Sequence, residues 1–187
     1  KKWAEAGADA AQVPLAFTFQ ARTDGNESTM RNSMYWNKAN LPYRLYTMHF
    51  TTFYDYYTQT GDPRAAWRTN PNVPNATSSL AGFGVVPWSY PPKYATDSSP
   101  YTLASGREMV LIRAEAALAQ GQLQDAATLI NQIRTSVRSD ATSQNHEPKT
   151  INDAADAWTA LFAERRLELF AEGRRLFDIR RFEENQN

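Results

Sequence analysis

From Ser105 onward the apolar residues recur at three- and four-residue steps, the spacing that lines side chains up on one face of an α-helix. Ser105-Gly106-Arg107-Glu108 has the form of a capping box, in which a hydroxyl accepts from orphan N–H groups and a Glu three residues later reaches back. The helix it opens is predicted to bury Met109, Ile112, Ala116 and Ala119 and to end at Gly121. A second helix follows at once, with Leu123, Ala126, Ala127, Ile130, Ile133 and Val137 as its apolar stripe. Two amphipathic helices joined by so short a turn must run antiparallel, and the small Ala116, Ala119 and Ala126 permit close approach. The spacing from Gly121 to Ala126 is that of a tetratricopeptide-type hairpin, clear here in a single copy. Beyond a polar linker at 139–149, Asn152 is placed to cap a third helix carrying Trp158, Leu161, Phe162, Arg165 and Leu169. That helix is expected to run to Glu172-Gly173 and to continue through Arg174–Phe182.

The residues before Ser105 are patterned differently. A short helix near 2–11 gives way to Val13–Gln20, where Leu15, Phe17 and Phe19 alternate with the period of a strand. Residues 23–40 are polar and Asn/Ser-rich, and read as a loop interrupted by Tyr35 and Trp36. From Leu41 to Thr60 a helix is predicted, with Tyr43, Tyr46, Phe50, Phe53 and Tyr57 on one core-facing side and Gly61-Asp62-Pro63 closing it. Residues 69–104 hold prolines and glycines without a sustained period, and read as a long loop of the kind that carries function or is disordered. The expected fold class is all-α: tetratricopeptide-like helical hairpins with long loops. The whole of 1–187 is expected to be one domain, with an aromatic, loop-rich part at 1–104 and a helical scaffold at 105–187.

Composition sharpens that division. All nine tyrosines and four of the five tryptophans lie within 1–106, whereas 107–187 holds 11 Lys+Arg and 13 Asp+Glu with only five aromatics. Over the full chain 20 Lys+Arg meet 20 Asp+Glu, a balance that argues against nucleic acid or an anionic membrane surface as partner. The absence of cysteine excludes disulfides, CxxC zinc sites and thiol catalysis. No stretch approaches the ~20 apolar residues of a membrane-spanning helix. The opening Lys1-Lys2-Trp3, without an initiator Met or a signal-like run, is what a piece of a longer chain is expected to show.

Glu164, Glu168 and Glu172 recur every four residues on one helical face, and two such carboxylates could serve a glycosidase as acid and base. The arginines at 165, 166, 174, 175, 180 and 181 favour the other reading, an ion-pair lattice, since successive turns of one helix leave little room for a sugar between them. His49 and His146 stand far apart without ligand spacing, and no Gly-x-Ser-x-Gly elbow or phosphate-cradling loop occurs. No catalytic residue, metal ligand or cofactor is expected. The candidate ligand contacts are instead the rings of the irregular segments: Tyr35, Trp36, Trp67, Trp88, Tyr90 and Tyr94. Such rings stack on the apolar face of a sugar while amide and hydroxyl neighbours address its oxygens.

Three segments carry a resemblance to a known family. They are Arg107–Ala116 with Gly121, Ala126 through Asn131-Gln132-Ile133-Arg134, and Glu164-Arg165-Arg166-Leu167-Glu168-Leu169 with Glu172–Arg181. Gly61-Asp62-Pro63-Arg64 and Lys93-Tyr94 add to them. In these the chain resembles the C-terminal portion of the SusD/RagB family of outer-membrane nutrient-binding lipoproteins. The resemblance implies a SusD-like helical superhelix and a non-catalytic protein at the extracellular face of a Gram-negative outer membrane. It implies a SusC-like TonB-dependent barrel transporter as partner and an oligosaccharide, or in some branches a peptide, as ligand. The membrane attachment it implies is an N-terminal lipid anchor outside this sequence. It assigns the strings at 107–116 and 164–181 to the scaffold. A helical adaptor without a small ligand is the alternative from another class.

Overall fold

The computed structural model describes residues 2–39, 44, 46–76, 82 and 84–185. Their elements are α1 (Trp3–Ala11), β1 (Thr18–Ala21), α2 (Ser33–Ala39), α3 (Thr52–Thr60), β2 (Tyr101–Ser105), α4 (Gly106–Ala119), α5 (Leu123–Thr135), α6 (Ala154–Glu168) and α7 (Arg175–Asn185). The structure is mostly helical, as the periodicity predicts, with β1 and β2 paired in a two-stranded sheet. Two units are distinct. One gathers the chain up to Phe19 with Thr102–Ser139 and Ser143 onward, and the other consists of Gln20–Tyr101 with Asp140–Thr142.

In the first unit α4 is the central helix, packed against α1, α5 and α6. Ser105 caps it as predicted, its Oγ accepting from the Glu108 N–H at 3.1 Å. The Glu108 carboxylate turns to Arg174, 3.8 Å away, and does not close the box. Gly106 is dictated by space, because a Cβ there would meet the Pro14 carbonyl oxygen at 2.0 Å. The buried stripe of α4 is Val110, Leu111, Ala114, Ala116, Ala117 and Leu118, so the expectation holds at Ala116, while Met109 and Ile112 are half-buried and Ala119 is exposed. Elsewhere the prediction misses by about one register position, because three neighbours enclose α4 and leave it little amphipathic contrast. On α5 the predicted face holds, with Ala126, Ile130 and Ile133 fully buried. Gly121, at φ 75°, turns α4 into α5 through the left-handed conformation. Against this hairpin pack Ala157, Ala160 and Leu161 of α6 and Phe182 of α7. Each fully buried Leu or Ile here contributes about 1.5–3 kcal/mol.

Charged groups tie the same helices together. Arg165 of α6 and Asp178 of α7, 3% and 4% exposed, form a two-bond fork at 3.1 and 2.9 Å. Asp178 also accepts from Arg181 at 2.8 Å, and Arg181 forks onto Glu115 of α4 at 2.7 and 3.0 Å. Nearer the surface, Arg107 of α4 forks onto Glu168 of α6 at 2.5 and 2.9 Å, and Arg134 of α5 reaches Glu164 at 3.2 Å. Burial pushes the Glu108 carboxyl above its usual range, although Arg174 and Arg165 pull the other way.

Three expectations are corrected in this unit. Asp153, not Asn152, caps α6, accepting from the Asp156 N–H at 2.8 Å. The third helix stops at Glu168, because Ala171 and Gly173 take positive φ (59° and 76°), and α7 begins afresh at Arg175. The strand near Phe17 forms later than its alternation suggests, at Thr18–Ala21, and Leu15, Phe17 and Phe19 are exposed.

In the second unit the predicted helix from Leu41 begins at Thr52; of its N-terminal part, residues 41–43 and 45 lie outside the described residues. Side chains of the preceding segment satisfy its backbone and so compete with the helix. Thr47 Oγ1 accepts from the N–H groups of His49 (3.1 Å) and Ser89 (3.0 Å), and Thr51 Oγ1 donates to the Met48 carbonyl at 2.7 Å. Thr51 then caps α3, while Phe50, at φ 67°, is 80% exposed. Gly61 ends α3 in the left-handed region with its N–H on the Tyr57 carbonyl at 2.8 Å. Fully buried Asp62 accepts from the Arg64 backbone N–H (3.0 Å) and from its guanidinium (3.0 and 2.7 Å), so the Gly61–Arg64 string is a structural turn. Residues 69–104, expected to lack regular structure, contain most of β2 and an antiparallel excursion with bridges Arg68–Tyr90 and Asn75–Pro87.

Two outcomes follow from this packing. Asp178→Asn leaves the Arg165 guanidinium buried without its counter-charge and is expected to destabilise the protein by about 3–5 kcal/mol. Glu168→Gln, whose partner Arg107 reaches water, should cost about 1 kcal/mol. Equal costs in denaturant unfolding would mean that the buried chain of charges is not the brace. In the second unit Tyr46 donates to the Met34 carbonyl at 2.6 Å, and burial, with Tyr101 and Tyr94 nearby, pushes its phenol up to about 12. The unfolded chain releases that proton near pH ~10. The contribution is therefore complete below pH ~10 and declines as pH rises from there through the folded value. The stability difference between wild type and Tyr46→Phe should shrink over that window in urea titrations; a constant difference refutes the assignment.

Candidate ligand-binding site

The rings of the second unit gather around α3. Capped at Thr51, this helix presents Tyr54 and Tyr57 one turn apart. The short 3₁₀ turn Pro63–Ala65 returns the chain so that Trp67 stacks on Tyr54 at 4.4 Å and 10°, its indole N–H on the Tyr54 carbonyl at 3.3 Å. The Tyr57 ring meets Trp67 edge-on at 6.0 Å, and His49 meets Tyr54 at 4.8 Å and 66°. A second stack comes from the excursion. The Arg68–Tyr90 bridge (2.8 and 2.9 Å) and the Trp88 N–H on the Pro74 carbonyl (2.8 Å) fix this strand, and Trp88 lies on Tyr90 at 4.8 Å and 29°.

A cleft of about 230 Å³ opens among these elements. Its rings are His49, Tyr54 and Trp88, its aliphatic surface Pro71, Pro74 and Pro87, and its polar groups Thr69, Asn70 and Ser89. None of these described lining residues is Asp, Glu, Lys or Arg. Asn70 Oδ1 accepts from the Asn72 N–H at 3.0 Å, which leaves its second lone pair and the Nδ2 hydrogens for other partners. Trp88 is 4% exposed, and its Nε1–H has no acceptor among the described residues. Arg68 is engaged by the Tyr57 hydroxyl (3.1 Å), the Trp67 carbonyl (2.9 Å) and Asp140 (3.9 Å).

The six rings singled out in the sequence separate here. Trp67, Trp88 and Tyr90 come together, with Trp88 lining the cleft, Trp67 behind Tyr54 and Tyr90 behind Trp88. Tyr35 and Trp36 do not sit on a loop: they belong to α2, where the Asn32 Oδ1 accepts from the Tyr35 N–H at 2.9 Å and the Arg31 guanidinium lies 4.7 Å over Trp36. Irregular segments ordinarily run over the surface, but two of these rings, Trp88 and Tyr94, are buried. Tyr94 takes φ 62° and packs 5.2 Å from Tyr101, as a loop-pinning ring. His49, Tyr54 and Asn70 were missed. His49 was weighed only as a metal ligand, and Tyr54 fell off the predicted core stripe, which is itself the signal that it faces elsewhere.

Two other cavities belong to the first unit. A groove of about 420 Å³ runs along α1, α4 and α5, lined by Ala4, Gly7, Ala116 and Gln120 among others and by no ring. An apolar cavity of about 270 Å³ lies on α6 and α7, among Trp158, Phe162, Ile179 and Phe182. Of these three, the cleft on α3 pairs aromatic faces with amide and hydroxyl groups among its described lining residues. Among the described residues no group of three His, Cys, Asp or Glu side chains could hold a metal, and no helix is long and apolar enough to cross a membrane.

No curated protein matches the chain. Its fold is similar to that of a SusD superfamily protein from Parabacteroides distasonis ATCC 8503, with a TM-score of 0.58 and 16% sequence identity over 95% of this chain and 46% of the other. The chain thus spans about half the length of that protein. The sequence pattern of the SusD family matches residues 18–187, which include the Arg/Glu strings of α4, α6 and α7 and the whole of the ring-lined cleft. The chain belongs to the SusD family.

Proposed function

We propose that the chain is part of a cell-surface nutrient-binding protein of a SusC/SusD-type uptake system, and that it captures an oligosaccharide for a TonB-dependent barrel transporter without altering it. The observation that carries this reading is the cleft on α3, where aromatic faces stand beside amide and hydroxyl groups in a family associated with nutrient capture. Family membership further supports placement at the extracellular face of an outer membrane, attached through a lipid anchor on an N-terminal segment outside this sequence. The Glu164 and Glu168 carboxylates are held by Arg134 and Arg107, which favours the scaffold role over acid–base chemistry. A peptide ligand fits the cleft less well, because its charged termini would find no charged partner among the described lining residues.

Calorimetric titration against oligosaccharides identified on a glycan array tests this directly. Tyr54→Ala, which removes a lining ring, and Asn70→Ala, which removes an amide without touching the stacks, should each weaken binding about tenfold or more, equivalent to ~1.4 kcal/mol. The circular dichroism of Asn70→Ala should match wild type. Glycan binding indifferent to both changes would move the site elsewhere, and binding of peptides with no glycan would replace the ligand class.

A further inference from the structure

The groove on α1, α4 and α5 belongs to the helical unit and shares no described lining residue with the cleft on α3. At about 420 Å³ it falls within the ~300–1,000 Å³ of ligand sites. Its α4 wall runs from Arg113 through Ala116 and Ala117 to Gln120, positions that share one helical face. That stretch of helix spans about 10 Å, the length of about three residues of extended chain. Arg113 differs from its neighbours in the unit. Arg107, Arg134, Arg165, Arg174 and Arg181 each pair with a carboxylate, whereas half-buried Arg113 has no hydrogen bond or ion pair among the described residues. Its guanidinium has given up part of its hydration and gained no counter-charge.

On the α5 side the groove carries Gln122 and Asp125. Asp125 lies in the first turn of α5, where the helix dipole favours a carboxylate, and it too has no ion pair or hydrogen bond to its side chain among the described residues. Gln120 donates from Nε2 to the Ala116 carbonyl at 2.9 Å, which leaves its Oε1 to accept. The Gln122 amide can both donate and accept.

We propose that this groove docks a segment of a partner protein, which seats one acidic side chain on Arg113 and pairs its backbone with the amides of Gln120 and Gln122. Charge complementarity selects the occupant. A polyanion would bring further negative charge against Asp125, with one cation to receive it. A sugar or a nucleobase would find no ring to lie on among the described lining residues. A lone small carboxylate would leave most of the groove empty. A mixed-charge stretch of polypeptide, an acid near a base, meets both Arg113 and Asp125 and lays its amides between them. The inference is independent of carbohydrate capture.

Nuclear magnetic resonance titration of the full chain tests it with three probes. They are an alanine-based pentapeptide with one glutamate, one lysine and both termini blocked, the same peptide with glutamine for glutamate, and sodium acetate. The glutamate peptide should shift the amides around Arg113, Gln120 and Asp125 saturably, and the glutamine peptide should bind about threefold or more weakly. Arg113→Gln should weaken the glutamate peptide by the same factor and leave the glutamine peptide unchanged. Its thermal stability should match wild type, because Arg113 gives up no internal partner. Equal binding of the two peptides, or glutamate-peptide binding indifferent to Arg113→Gln, would overturn the proposal. So would shifts that map outside the groove, acetate reproducing the peptide's shifts with equal affinity, or no shift at all at millimolar peptide.

Discussion

A guanidinium that is 3% exposed must have its counter-charge in place, and Arg165 imposes that condition on the helical unit. It is met by Asp178 on the next helix; Asp178 is shared with Arg181, and Arg181 with Glu115, so one chain of four charges runs from α6 through α7 to α4. Each member has a defined geometry, because the Arg forks accept a carboxylate in few orientations. Apolar contacts such as Ile133 or Leu161 contribute more free energy but tolerate sliding. The charges fix register. Burial works against the charge on Arg181, yet Glu115 and Asp178 outweigh it and raise its pKa above the usual value, so Arg181 keeps its charge.

This explains why the recognisable strings of the chain lie where they do. Arg107, Glu108, Glu115, Arg134, Glu164, Arg165, Glu168, Asp178 and Arg181 all belong to pairs between elements of the helical unit, and none lines the cleft on α3. A sequence pattern that identifies the family is therefore reporting on a frame.

How much of this was legible in the sequence depends on the range of the forces involved. The Ser105 cap, the Gly121 turn and the Ala126/Ile130/Ile133 face are set within a few residues, and the sequence states them. The α4 stripe is set by three neighbouring helices, and reading it as one amphipathic face rotates it. The start of α3 was lost to Thr47 and Thr51, whose hydroxyls compete with helix formation through bonds to residues as distant as Ser89. For the site, the types of residue were visible and the grouping was not. Trp88 reads from sequence as a ring on an irregular segment, whereas the strand around it is pinned by Pro74 and Arg68 and buries it. The Tyr54 position makes sense only once residues 48–50 are seen to form a turn and not a turn of helix.

An Arg/Glu-rich chain that presents an uncharged cleft looks contradictory until the ion pairs are followed. A carboxylate or guanidinium left near a binding cleft would decide its ligand by charge, strongly and with little regard for shape. In the second unit the charges near the cleft are engaged locally: Asp62 with Arg64, and Arg68 with Asp140 and Tyr57. Among the described residues the cleft is lined by rings, prolines, two hydroxyls and an amide, with the Arg44 guanidinium 5.7 Å over the Trp88 ring. Such groups discriminate through the placement of oxygens against N–H donors and through the fit of an apolar face. Under the proposed reading, selectivity at this cleft rests on stereochemistry, and the pairing of nearby charges is the condition for it.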